Sequence, residues 1–335
     1  MLKTTILAAS VSALPHLAAA EPVKLRVTNG LPPTHIVSTQ GIDPWMACVA
    51  DRTGGEVTFD YFSGGQIAKV TETIDAIANG LADIGFMSPV NEGSKLPLNG
   101  IAILPGSYGT AVENTANYRA SIDAGSPLAQ ELAALGLRPF ILNQLAPYEI
   151  MARKMTLDGL DDFRGVKLRT TGGSMNFTAM GLGAVATEMA AADIYIALER
   201  GTVDALILAK ASVKNYSLQE LVTSMSSNAP LGASAQFFAI SETSWGRLSA
   251  DQQDAVTTCG LEVEKSLAEA IDAQEDALQA EFAELGITIY EFPPEELEKI
   301  NAALADAVQQ YIDRLAARGL PAQEALDSLR NLPAS

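Results

Sequence analysis

Asp162-Phe163-Arg164-Gly165-Val166-Lys167-Leu168-Arg169 is followed by Gly181-Leu182-Gly183-Ala184 and then by Asp193-Ile194-Tyr195-Ile196-Ala197-Leu198-Glu199-Arg200-Gly201-Thr202-Val203-Asp204. The cations of the first segment are placed in two ways. Arg164 and Lys167 fall on a turn and on the polar phase of a short strand. Arg169 falls at the strand's end, where a Thr-Thr-Gly-Gly-Ser loop begins. Open α/β sheets bind ligands beyond the carboxyl ends of their strands. A guanidinium placed there can grip a carboxylate through two parallel hydrogen bonds. A surface arginine in a salt bridge is the competing reading of this segment taken alone.

Around this passage strands and helices alternate. Val23–Val27 and Val57–Phe62 alternate apolar and polar residues, as strands do, and helices are expected over about 40–52 and 72–79. Ala82–Met87 reads as a short buried strand. A second strand-helix set spans 166–208, and Ala233–Ile240 reads as a further strand. Such alternation predicts an α/β fold in which parallel strands are covered by helices. From Ala250 to Leu285 apolar residues recur at three and four. A Pro-led helix follows Pro293-Pro294, so the C-terminal third is helical. The acids along 262–281 read as a solvated helix face.

The first twenty residues have a positive start at Lys3, an apolar run from Ile6 to Leu17 and a small-residue end, Ala18-Ala19-Ala20. This is the anatomy of a cleaved export signal, with the cut expected after Ala20. The remaining length of about 315 residues exceeds what one core usually supports, so two lobes are expected. With 40 acidic against 22 basic residues the net charge is −18. That excludes nucleic acid or an anionic membrane surface as a partner, but not a small anion met by one well-placed cation. Cys48 and Cys259 can pair in an oxidising compartment. Their apolar, helix-like settings favour two unlinked buried thiols instead, and neither has a neighbour at zinc-ligand spacing.

Few enzyme chemistries survive inspection. His35 is the one histidine beyond the export signal, so any Ser-His or Cys-His mechanism must use it. There is no Gly-x-Ser-x-Gly elbow, no phosphate-binding loop and no His-Glu-x-x-His. No cofactor is expected, and whether a metal binds is left open, since a metal site cannot be argued from spacing. Abundant carboxylates leave a paired-acid glycosidase open by counting, but nothing singles out two of them.

The ordered set of motifs resembles the solute receptors of tripartite ATP-independent periplasmic (TRAP) transporters. Besides the opening passage it includes Leu31-Pro32-Pro33-Thr34-His35, Gly64-Gly65-Gln66-Ile67, Asn79–Gly85 and Trp245-Gly246-Arg247-Leu248-Ser249. The resemblance implies a two-lobed periplasmic binding protein fold, each lobe a mixed sheet flanked by helices, joined by crossing hinge strands. The expected division is 21–145 plus 234–278 for lobe I and 146–233 plus 279–335 for lobe II. The implied function is a periplasmic receptor, not an enzyme, that closes on a small organic acid and delivers it to a membrane permease. A receptor of the ABC importer kind is the alternative, and a periplasmic enzyme acting on a small carboxylate a weaker one.

In that family the position of Arg169 clamps the ligand carboxylate. A second arginine carried by many members falls here at Tyr148 or Glu149, which points to a mono- or keto-carboxylate rather than a sugar acid. Ala205-Leu206-Ile207-Leu208 and Ala191 stand where relatives carry polar or aromatic residues, so that wall should be apolar. His35, Ser88 and Asn91 lie in loops after strands and are candidates to face the cleft, as are Tyr195 and Gln236. Asp204 is as suited to tying its own loop as to touching a ligand. Trp45 is expected in the core.

Overall fold

The computed structural model describes residues 22–106 and 109–330; the expected export signal and the expected cut after Ala20 lie outside them. The chain begins with β1 (Val23–Thr28), α1 (Asp43–Arg52), β2 (Val57–Phe62), α2 (Thr73–Ala78) and β3 (Ile84–Met87). Then come α3 (Ala111–Asp123), α4 (Pro127–Ala134), β4 (Leu137–Pro147) and β5 (Glu149–Ala152). The middle holds β6 (Lys167–Thr170), α5 (Ser174–Gly181), β7 (Val185–Glu188), α6 (Ile194–Glu199), β8 (Ala205–Leu208) and α7 (Lys210–Asn215). The rest is β9 (Ser224–Ser226), β10 (Ala233–Ser241), α8 (Glu242–Trp245), α9 (Ala250–Glu284), β11 (Thr288–Tyr290), α10 (Pro294–Ala316) and α11 (Ala322–Arg330).

Two mixed sheets result, ordered β2-β1-β3-β10-β4 and β11-β9-β5-β8-β6-β7. In the first, β1 runs parallel to β2 and β3, and β10 is antiparallel to β3 and β4. In the second, β6 runs parallel to β7 and β8, and β5 is antiparallel to β8 and β9. Successive residues of a strand face opposite sides. Ile150, Ala205 and Ile207 therefore join the large core shared with the first sheet. Met151, Leu206 and Leu208 fill a smaller core closed by Leu198, Met225 and Phe282. Strands buried on both faces are continuously apolar, which explains the unbroken Ala-Leu-Ile-Leu run.

The chain passes between the sheets three times: along α9 from β10 to β11, and through two short segments, from β4 through Tyr148 to β5 and from β9 to β10. Where these segments meet, the Tyr148 N–H donates to the Gly232 carbonyl at 2.8 Å. Gly232 has φ +86°, and a Cβ there would lie 2.1 Å from the Ile103 carbonyl oxygen. No L side chain fits. Beside this joint the Glu149 carboxylate is buried and accepts from the Ser226 hydroxyl and, at 3.0 Å, from the Ala229 N–H.

Helix α9 spans 35 residues and packs on α1, α3 and β4 of the first lobe and on α7 and β11 of the second. It lies against β4 at backbone contact, since a Cβ at Gly260 would come 2.1 Å from the Phe140 carbonyl oxygen. Trp45 is in the core as expected, stacked on Phe140 with centroids 4.3 Å apart. Helix α11, which the expected division gave to the second lobe, rests on α3 and α4 of the first. The expectation of unlinked thiols is overturned. Packing of α1 on α9 brings the Cα atoms of Cys48 and Cys259 to 5.9 Å, and the two form a disulfide. Helix-like local sequence said nothing about which helices would be neighbours.

Cross-linking across a separation of 211 residues restricts the unfolded chain, with a typical effect of about 2–4 kcal/mol. Cys48→Ser, Cys259→Ser and the double variant should lower the melting temperature alike; a variant that melts with the wild type would remove the disulfide from the stability account. Burial also pushes the Glu149 carboxyl up to about 7. A raised carboxyl favours the folded state at low pH, and that contribution is lost as pH rises through 7. Glu92 shifts the same way, also to about 7. His35, pushed down to about 4, acts oppositely between pH 6.5 and 4. Glu149→Gln should therefore flatten the fall in melting temperature between pH 5 and pH 8; an unchanged slope in differential scanning fluorimetry would exclude it as a contributor.

Candidate functional site

A cavity of about 80 Å³ lies between the sheets, at the ends of β3, β6 and β8 and against β10. Larger concavities exist, but this one is lined by the most deeply buried cation among the described residues. Arg169 is 1% exposed. Its Nη2 donates to the Met189 carbonyl at 3.0 Å, while its Nε has no hydrogen-bond partner. It forms no ion pair among the described residues. Burial alone pushes its pKa down, to about 10, so it keeps its charge at neutral pH. An unpaired buried charge costs several kcal/mol, which sets this arginine apart from a surface salt bridge.

Two phenols face that charge. Tyr148 is 5% exposed, is hydrogen bonded to Ser234, and is held by burial as a neutral phenol with a pKa of about 12. Tyr216 is likewise raised by burial and feels the Arg169 charge. His35 sits in a loop ordered by Asn29, whose Oδ1 accepts from the Leu31 N–H at 3.0 Å and whose Nδ2 donates to the Ser38 hydroxyl at 2.9 Å. Its Nδ1 accepts from the Val37 N–H at 3.2 Å. Burial lowers the imidazole pKa to about 4, so the neutral ring carries its proton on Nε2 and can only donate from there. Ser88 is committed to the fold, donating to the Ala235 carbonyl at 2.9 Å. The Gln236 amide donates to Asn143 Oδ1 at 2.8 Å.

Six of the eight residues singled out by sequence therefore line one cavity: Arg169, Tyr148, His35, Ser88, Asn91 and Gln236. Two do not. Tyr195 is outside it and donates to Glu220 Oε2 at 2.8 Å. Asp204 binds its own neighbourhood, its Oδ2 accepting from the Lys167 N–H at 3.0 Å and its Oδ1 lying 3.4 Å from Lys167 Nζ. It ties the start of β6 to the turn before β8, outside the cavity lining. The wall expected to be apolar is so, since Ala191, Ile207 and Leu208 line it with Leu31, Phe86 and Leu145. Sequence reading missed Ser212, Tyr216 and Ser234. Ser212 on α7 and Tyr216 at its C-cap, four residues apart, carry the one signal that could have found those two.

Around the site no metal cluster is assembled. Among the described residues the one group of cysteines, histidines and acids close enough to share an ion is Cys48, Cys259 and Glu262, and both sulfurs there are consumed by the disulfide.

The profile of the family described as bacterial extracellular solute-binding protein, family 7, matches residues 29–314. A protein of Comamonas testosteroni named outer membrane transporter protein TsaT is 23% identical over 332 residues, 96% of this chain and 95% of its own. A marine metagenome TRAP solute-binding protein specific for aromatic acids, solved with metahydroxyphenylacetate, superposes with a TM-score of 0.84 at 19% identity, covering 93% of this chain and 100% of that one. A TRAP periplasmic solute-binding protein of Bordetella bronchiseptica with bound mandelate gives 0.82 at 23% identity, covering 92% and 98%. At these identities the structural likeness establishes the shared two-lobed fold. With the profile match running through the Arg169 passage and nearly end to end, the chain belongs to the bacterial extracellular solute-binding proteins of family 7, the solute receptors of TRAP transporters.

Proposed function

We propose that this receptor works in the periplasm, binds a small monocarboxylate carrying an apolar or aromatic body, and hands it to a TRAP membrane permease without chemically altering it. One observation carries the ligand class: a fully buried arginine with an unpartnered Nε at the end of β6, beside neutral phenols and an apolar wall. A carboxylate bridging the guanidinium would relieve its desolvation, and charge-assisted pairs strengthen in such surroundings. The Tyr148 and Tyr216 hydroxyls and His35 Nε2–H supply further donors. With one buried cation in the cavity, a second carboxylate would be left unpaired and therefore costly. Mandelate and metahydroxyphenylacetate, bound by two receptors of the same fold, have this chemistry. The lobe limits at 145/146 and 233/234, export with a cut after Ala20, and closure about the Tyr148–Gly232 joint belong to the same proposal.

The test is a melting-temperature screen of the mature, ligand-stripped protein against mandelate, hydroxyphenylacetates, benzoates, keto acids, dicarboxylates and sugar acids. A true ligand at 100 times its Kd adds about 2.7 kcal/mol of stability. Arg169→Met should abolish that gain while leaving the unliganded protein as stable or more so, because a desolvated charge is removed. A merely structural arginine would instead lower the unliganded melting temperature. Tighter binding of a dicarboxylate than of its monocarboxylate analogue would sink the ligand class, and turnover of a bound acid would sink the receptor reading.

A further inference from the structure

A second concavity, of about 440 Å³, adjoins the Arg169 cavity and shares Val90, Asn91 and Thr171 with it. Its outer wall is the C-terminal end of α10, which presents Arg314 and, just past the last turn, Arg318. The two are four residues apart and so lie on one side. Among the described residues neither forms an ion pair, in a chain where most other cations do. The Arg314 guanidinium carbon sits 5.7 Å from the centroid of the Phe177 ring. Phe177 meets Tyr311 edge-on at 5.3 Å, and the Tyr311 hydroxyl donates to the Pro97 carbonyl at 2.9 Å. This wall is therefore held in place from both lobes. Ser94 and Asn176 add polar groups. One acid, Glu188, also lines the space, accepting from the Asn176 amide at 3.3 Å, which leaves an excess of one positive charge.

We infer that this concavity is an antechamber, a second and weaker site for the organic anion on its way to Arg169. The inference rests on the receptor reading above. With a net charge of −18, the field of the whole protein repels an anionic solute, so capture depends on local reversal of sign near the cleft. Clefts with such charge focus an approaching ion and raise association rates by about 10–1,000-fold. Helix C-termini also favour cations for stability alone. The deciding measurement must therefore read the ligand rather than the fold.

Arginine Nε–Hε NMR with mandelate as probe provides it, with resonances assigned through Arg169→Met, Arg314→Gln and Arg318→Gln. In the Arg169→Met protein, the Arg314 and Arg318 signals should still shift and saturate at mandelate concentrations at least 10-fold above those that saturate Arg169 in the wild type. Shifts at Arg169 without saturable shifts at Arg314 and Arg318 would overturn the antechamber and leave the receptor reading intact. Silence at all three would overturn both for aromatic acids. Shifts confined to Arg314 and Arg318 would support the antechamber and count against Arg169 as the clamp. Where mandelate binds at Arg169, Arg314→Gln/Arg318→Gln should lower its association rate about 10-fold at low salt, with dissociation unchanged. The difference should close towards 1 M salt, where the screening length falls to about 3 Å. A salt-independent rate equal to that of the wild type would overturn the inference. Arg318→Glu, at an exposed position past the C-terminus of α10, should deepen the effect on the association rate, with a melting temperature lowered slightly by the helix dipole.

Discussion

The hydrogen bond from the Tyr148 N–H to the Gly232 carbonyl holds together the two short segments by which the chain passes from β4 to β5 and from β9 to β10. Everything that makes the cleft a site hangs on that joint. Tyr148 is the residue between β4 and β5, so the same backbone that crosses between lobes carries a phenol to the Arg169 charge. Gly232 is at φ +86° with the Ile103 carbonyl against it, and Ser234, two residues on, reaches back to the Tyr148 hydroxyl. The crossing segment and the wall of the Arg169 cavity are thus one piece of chain.

The electrostatics of the cleft follow from exclusion of water. Arg169, Tyr148, Tyr216 and His35 are all displaced by burial in the direction that disfavours charge. The phenols and the imidazole answer by staying neutral, and the guanidinium cannot. A single charge is thereby left in apolar surroundings with neutral donors around it. In such surroundings a polar group without a partner loses its hydration uncompensated.

The sequence passage at 162–204 disclosed Arg169 because strand ends and loop starts are local properties. His35, Ser88 and Asn91 were legible for the same reason, each following a strand in a loop. Asp204 and Tyr195 lie in the same family-like passage but were misplaced, since phase along a strand or helix does not say which side faces the cleft. Asp204 points back to Lys167. Tyr216 was not legible because it stands at the C-cap of a short helix, and its approach to Arg169 depends on tertiary packing that no local pattern encodes. The stretch from 92 to 136, with α3 and α4, gave no reading at all, being poor in strand-like alternation. Pairing of Cys48 with Cys259 depended on α1 lying beside α9, a contact between residues 211 apart that no local pattern encodes.

The position of β10 between β3 and β4 sets an order in time as well as in space. The first sheet is built from residues 23–147 but is cut in two until residues 233–241 arrive, and every residue of the second sheet's first five strands must precede them or lie between. A chain emerging from its N-terminus therefore exposes an incomplete, apolar half-lobe for most of its passage, and pairing across long loops is slow to form. The Cys48–Cys259 bond closes only after that last strand has been delivered. It is a latch on a finished first sheet, closed before α11 arrives to cover α3 and α4.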